Sequence, residues 1–292
     1  MTESTQDHWA RWLLHRRHND DPERMKKVLK FLYPVRDKVL SNAKLNDGET
    51  LLDVGSGDGL IAFGALEKVR DSQVIFSDIS QDLLDHIEAL AREMGVLDRC
   101  RFLRASADDL SAIPNSSVDA VTTRSVLIYV ASKQQSFNEF YRALKPGGRL
   151  SIFEPINRFG WPPPPGWFSS YDVTPVADIA AKVQAVNLRL QPPDSDPMLD
   201  FDERDMLRFT EKAGFKSIEI ELQAKIAFGG ESHSWEKFLQ FVGNPKIPST
   251  AEAMAEALTP EEAERFTAHL RPLVEAGQSV ERTALMYLWA VK

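Results

Sequence analysis

A doubly wound α/β fold is what this sequence predicts. Between residues 50 and 154, short apolar runs alternate with amphipathic runs of helical period, the pattern of a parallel sheet covered by helices. The first apolar run, Leu51-Leu52-Asp53-Val54, opens onto Gly55-Ser56-Gly57-Asp58-Gly59. Such a glycine-rich turn lets the backbone leave a buried strand, approach a ligand closely and enter a helix. With 292 residues, 43% of them hydrophobic, the chain can bury a sizeable core and has room for additions.

The strands are expected at 50–54, 73–78, 100–104, 118–123 and 149–153. Between them, 59–70 reads as an amphipathic helix. The segment 81–94 places Leu84, Ile87, Leu90, Ala91 and Met94 on one face and stops at Gly95. A helix over 132–144 ends before Pro146-Gly147-Gly148, a turn that feeds the next strand. Residues 6–42 read as two amphipathic helices separated by the polar stretch 18–23. Two proline clusters flank a helix at 176–190, marking 155–199 as a cap insertion. A helix is expected from about Asp200, which has capping-box spacing to Glu203, followed by a strand at 216–223. Further helices fill 229–281, one with Thr259 as N-cap, Pro260 at the first helical position and Glu262 completing the box. Residues 283–291 read as a last strand. The expected organisation is an N-terminal helical lid over 1–45 and a core over 46–292, with cap insertions at about 155–199 and 229–281.

The formal charge of −8 argues against a dedicated nucleic-acid binder, which carries a broad basic face. No run approaches the roughly 18 apolar residues of a membrane helix, and the acidic start lacks a signal core. Cys100 is the single cysteine, so no internal disulfide forms and a reducing cytoplasm is the expected compartment. Its apolar neighbours suggest a buried structural thiol.

The chemistry begins at Asp53. A carboxylate just ahead of a glycine loop repels a pyrophosphate and attracts an ammonium group. The Gly-x-Gly-x-Gly spacing also departs from the Gly-x-Gly-x-x-Gly of dinucleotide turns. Here the chain resembles the class I S-adenosylmethionine (SAM) methyltransferases, whose first motif is an acidic residue followed by x-Gly-x-Gly-x-Gly. Asp78 ends the second strand 23 residues after Gly55, placed to accept hydrogen bonds from both ribose hydroxyls, and Ile79 follows it to press on an adenine face. An NAD-binding protein would use the same carboxylate, so Asp78 alone does not separate the two classes. After the third strand, Ala107-Asp108 matches the family's adenine-amino acceptor, with Asp109 a weaker substitute. Thr123 and Arg124, at the end of the fourth strand, match the stretch that lies against the methionine part of the cofactor. The Leu-Lys-Pro-Gly-Gly turn before the fifth strand is also frequent in the family, as a structural turn.

The resemblance covers residues 50–154. It implies a Rossmann-like sheet of seven strands with an antiparallel last strand, SAM as cofactor, S-adenosylhomocysteine as product and no required metal. The cofactor-binding set it implies is Asp53, Gly55, Ser56, Gly57, Gly59, Asp78, Ile79, Ala107, Asp108, Thr123 and Arg124. Methyl transfer is an in-line displacement from a positively charged sulfur, so positioning and water exclusion come first, and a base is needed only for some acceptors. Tyr129, Glu154, His15 and His18 are the candidates for catalytic work. Tyr129, Arg158, Trp161, Trp167 and Tyr171 are the candidates for acceptor contact, the aromatic ones suiting an apolar or polycyclic molecule. No motif of nucleic-acid amino methylation follows the fourth strand, and one cysteine cannot supply a thiol cluster for arsenic. The expected activity is methylation of oxygen, nitrogen or carbon on a small metabolite, with the oligomeric state open. The rivals are an NAD-dependent oxidoreductase and a non-catalytic SAM-binding partner subunit.

Overall fold

The computed structural model describes residues 7–11, 13–14, 22–242 and 246–292. They divide into two compact units. One comprises residues up to Glu154, Glu203–Leu222 and Met286–Lys292; the other comprises Pro155–Asp202 and Gln223–Leu285.

The first unit is built on the sheet. The sheet's strands are β1 (Thr50–Val54), β2 (Gln73–Asp78), β3 (Cys100–Arg104), β4 (Val118–Arg124), β5 (Leu144–Pro155), β6 (Lys216–Phe228) and β7 (Val280–Val291), of which β6 from Gln223 and β7 to Leu285 are counted with the second unit. They lie in the order β3-β2-β1-β4-β5-β7-β6. The pairs β1·β2, β1·β4, β2·β3 and β4·β5 are all parallel. The last strand is reversed. Lys292 pairs with Gly147 and Gly148 at one end, and the Ile156 amide donates to the Ala284 carbonyl at the other. Leu51, Leu52, Val54, Val74, Ile75 and Phe76 are buried, as strands covered on both faces require. Val54 lies level with Ser77 on one side and Thr123 on the other, so β1, β2 and β4 end together and their loops emerge on one edge.

Around the sheet lie α1 (His8–Arg11), α2 (Pro22–Ala43), α3 (Leu60–Lys68), α4 (Gln81–Glu93), α5 (Lys133–Ala143) and the helix Glu203–Ala213. The α4 helix starts at Ser80, whose hydroxyl accepts from the Leu83 amide, and it buries Leu83, Leu84, Ile87 and Ala91. Met94 does not join that face. The helix ends at Glu93, Met94 is its C-cap and 54% exposed, and Gly95 takes a φ of +70°. The Pro-Gly-Gly turn lies within β5, where residues between Leu144 and Arg149 loop out opposite a register shift in β4. The helix starts at Glu203, three residues past the expected N-cap Asp200, whose amide bonds the Asp196 carbonyl. Cys100 is half-buried and its thiol donates to the Val96 carbonyl at 3.2 Å; burial pushes its pKa up to about 11, as suits a structural thiol.

The second unit joins the two expected insertions. A hairpin of Trp167–Phe168 with Tyr171–Asp172 packs with helices Ala177–Leu190, Trp235–Gln240, Thr250–Ala257 and Pro260–Glu275. Phe168, Tyr171, Ile179, Val183, Trp235, Phe266 and Leu270 share its core. Thr259 and Glu262 form the expected capping box, and Ser249 with Glu252 forms another. Among the described residues, no helix is long and apolar enough to cross a membrane.

Candidate functional site

The glycine loop closes tightly at the sheet's carboxyl edge. Gly55, Gly57 and Gly59 have φ of +65°, +55° and +80°, the left-handed region that side chains disfavour. A Cβ on Gly55 would stand 2.3 Å from Val126 Cγ2, so glycine is required there by space as well as by conformation. The Ser56 hydroxyl and amide both reach the Ser77 carbonyl, tying the loop to the end of β2. Asp78 completes the cradle. Its Oδ2 accepts from the Gly57 amide at 2.9 Å and its Oδ1 from the Ser80 amide at 3.0 Å. Burial raises its pKa, against the pull of those amides. With the Ile79 amide also drawn to it, the carboxylate keeps lone-pair capacity for a further donor.

Asp53 lies just ahead of the glycine loop, inside the sheet. It lies 2% exposed and accepts from the Thr122 hydroxyl at 2.8 Å across the β1·β4 pair. Burial pushes its carboxyl up to about 7, against the Thr122 hydrogen bond and the charge of Arg124. Thr122 on the neighbouring strand and the Ala62 amide of α3 reach its carboxylate. Arg124 is the more open group at this end of β4; its nearest carboxylate among the described residues is Asp58, at 3.9 Å. Thr123 is fully buried, and its hydroxyl has no partner among the described residues.

Beside Asp78, a cleft of about 420 Å3 is lined by Ile79, Arg104, Ala105, Ser106, Asp109, Ser111 and Ala112. Ile79 is 44% exposed, and Arg104 fixes its carbonyl with a 3.1 Å hydrogen bond. Ala107 is buried, and Asp108 accepts from the Ser106 hydroxyl. The acidic residue among those lining the cleft is Asp109, which pairs with Ser106 in an isolated antiparallel bridge.

The N-terminal segment, which the glycine-loop motifs do not locate, also reaches this edge. Asp7 caps α1, accepting from the Trp9 and Ala10 amides, and its other oxygen accepts from the Ser80 hydroxyl at 2.6 Å. The α1 segment is thereby fastened beside Asp78, with the Trp9 ring edge-on to Tyr129 at 4.9 Å and Leu13 over Gly57. His15 and His18 lie outside the described residues. Glu154, at the end of β5, is fully buried; its Oε1 accepts from the Val126 and Leu127 amides, each at 2.8 Å. Those amides follow Ser125, a non-glycine residue with φ +56°. Glu154 therefore braces the turn whose Val126 touches Gly55, while its Oε2 has no partner among the described residues.

In the second unit, Arg158 is half-exposed with Asp194 at 3.8 Å, and Arg282 lies over the Trp167 ring at 4.6 Å. The Trp161 ring nitrogen is buried without a partner among the described residues. Tyr171 packs edge-on to Phe238 inside that unit's core, 4% exposed, which leaves it little surface for an acceptor. No three His, Cys, Asp or Glu side chains converge as a metal-ligand set among the described residues.

A carboxylate after β2, a left-handed glycine loop after β1 and a sheet ordered 3-2-1-4-5-7-6 now stand together. Residues 52–152 match the Methyltransferase domain family. This chain contains a class I methyltransferase domain. The tRNA 5-carboxymethoxyuridine methyltransferase of Escherichia coli (strain K12) is 32% identical over 102 residues, covering 35% of this chain and 38% of that protein. The ubiquinone/menaquinone biosynthesis C-methyltransferase of Enterobacter sp. (strain 638) is 32% identical over 108 residues, 37% of this chain and 43% of its own. The chain thus spans less than half the length of these curated relatives. The fold of the whole extends further. Phosphoethanolamine N-methyltransferase 2 of Haemonchus contortus, solved with S-adenosyl-L-methionine, aligns with TM-score 0.51 at 18% identity, over 89% of this chain and 52% of that one. The methyltransferase domain ends two residues before Glu154, so the brace lies just outside the matched segment.

Proposed function

We propose that this chain transfers a methyl group from SAM to a small organic acceptor. One observation supports this most: the Asp78 carboxylate, held at the mouth of the glycine loop by the Gly57 amide, with capacity left to accept from a ligand hydroxyl. That is the donor-poor, acceptor-rich cradle a ribose diol needs and a pyrophosphate would avoid. Ile79 supplies an apolar face at the cleft for adenine, and Asp109, with Asp108 beside it, supplies the carboxylate for the adenine amino group. Arg124 offers a guanidinium for the cofactor's α-carboxylate. Bound in this cradle, SAM supplies a methyl group activated by a sulfonium charge. The chain's own work is to orient and to exclude water, with Trp9 and Leu13 of the N-terminal segment acting as a lid. Glu154 acts as a brace rather than a base, since its engaged oxygen is bound to two amides and its side chain is fully buried.

The acceptor is proposed to be a small molecule because a chain of charge −8 is poorly suited to hold RNA, although one relative is named for a tRNA substrate. Residues outside 52–152, Arg158, Trp161 and Trp167 among them, are where acceptor choice is proposed to lie. A cytoplasmic setting suits the single cysteine.

Isothermal titration with S-adenosylhomocysteine and with NADH tests the cofactor. Binding of the former alone is expected, and Asp78→Ala should weaken it at least roughly thirty-fold while shifting the unfolding midpoint little. Near-normal affinity in that variant would remove Asp78 from the site. Labelled SAM offered to a metabolite panel and to bulk tRNA then tests the acceptor class: label on tRNA alone overturns the small-molecule reading.

A further inference from the structure

The edge strand β6 is unusual for a strand that terminates a sheet. It is thirteen residues long and stands last in the strand order. Leu222, Gln223, Ala224, Lys225 and Ile226 are all exposed in succession, on both faces of the strand. Ile226 and Phe228 are 53% and 81% exposed. Period-two alternation puts Ile218, Ile220, Leu222, Ala224, Ile226 and Phe228 on one face, with Glu219, Glu221, Gln223 and Lys225 on the other. A long apolar edge of this kind is a template for another strand unless something covers it.

We propose that two copies of this chain pair antiparallel along β6, about a two-fold axis at Gln223. The sequence of the strand is complementary to itself in that register. Glu221 faces Lys225 of the second copy, Ile220 faces Ile226, Leu222 faces Ala224 and Ile218 faces Phe228, and the two-fold repeats each pair. Glu221 also makes an ion pair with Lys38 of its own copy, so Lys225 of the other copy adds a second cation to a carboxylate already held in place. A lysine on an edge strand ordinarily discourages pairing. Here the opposing glutamate turns it into a register mark. A two-fold at Leu222 would still offer a Glu219–Lys225 pair, but it would set Phe228 against Lys216. A different protein would have to reproduce this charge and apolar pattern, whereas a second copy carries it already.

The test uses the full chain. Sedimentation at micromolar concentrations should show a dimer. Lys225→Glu puts carboxylates opposite one another twice and should raise the dimer dissociation constant at least about ten-fold. Adding Glu221→Lys to that variant should restore pairing. Gln223→Cys should cross-link two copies on oxidation, since facing strand residues stand within about 4.5–5.5 Å and so within disulfide reach. Glu219→Cys, far from its own mate in this register, should not, and neither should the wild type through Cys100. Circular dichroism checks that each variant folds; should a charge variant fail, the cysteine pair still reads the register. A monomer at every concentration overturns the proposal, which is also the outcome if a different protein covers the strand. So does a dimer that ignores Lys225→Glu, or one that cross-links at residue 219 and not at 223.

Discussion

Replacing Glu154 by glutamine should make the protein less sensitive to rising pH. The Glu154 carboxyl is fully buried, and burial lifts it to about 7 despite the Leu127 and Val126 amides that favour its charged form. A carboxyl raised in the folded state takes up its proton more readily there than in the unfolded chain. Its contribution to stability is therefore complete below the ordinary glutamate range and is lost as pH climbs through about 7. Integrated between pH 5 and 8, the loss is about 2 kcal/mol. Glutamine keeps the oxygen that accepts from Val126 and Leu127 and has no proton to lose. Urea denaturation at half-unit pH steps should show the wild type losing stability over that range and Glu154→Gln losing about 2 kcal/mol less. Asp53, also lifted to about 7, tilts both proteins in the same direction and drops out of the difference. Equal slopes in the two proteins would refute the reasoning, because Glu154 would then be ionised in the fold or exposed to water. Glu154→Ala removes the brace itself and should weaken S-adenosylhomocysteine binding where Glu154→Gln does not.

The remaining expectations test other parts of the same edge. Gly55→Ala should abolish cofactor binding, and Val126→Ala added to it should recover part of the lost stability but not the roughly 1–2 kcal/mol cost of a left-handed alanine, read by thermal melts. Asp7→Ala should cost the α1 cap about 1 kcal/mol and speed hydrogen exchange at the Trp9 and Ala10 amides without touching the sheet. Burial opposes the Asp7 charge, but the Ser80 hydroxyl and the Ala10 and Trp9 amides outweigh it and hold the pKa below the usual range. The anchor is thus present above about pH 4 and fades on acidification. Thr259→Ala should lower stability by about 1 kcal/mol in denaturant and leave S-adenosylhomocysteine affinity unchanged, because the box it breaks belongs to the second unit.

What the sequence revealed and what it hid divide along a physical line. The strands before and after the glycine loop, the loop itself and Asp78 follow from short-range rules: side-chain period, glycine conformation and the fixed distance of one strand–helix–strand unit. Asp78 and Gly57 are 21 residues apart, which one such unit spans, and their hydrogen bond could be foreseen as a neighbourhood. The anchoring of Asp7 on Ser80 joins residues 73 apart, and the Glu154 brace joins β5 to the turn after β4. No local pattern encodes either, since an Asp near a helix start and a Glu after a strand each have many partners to choose from. Asp53 shows the same limit from the other side. Its place ahead of the loop was right, yet its burial depends on Thr122 arriving opposite it from another strand. Which of Asp108 and Asp109 lines the cleft likewise follows from the local path of the chain around the Ser106–Asp109 bridge, which residue spacing does not encode. Even so, β6 shows that a local pattern can carry long-range information once topology is known. Its alternation identifies a strand in any context, but only its position at the end of the sheet order makes Glu221 and Lys225 the marks of the proposed pairing.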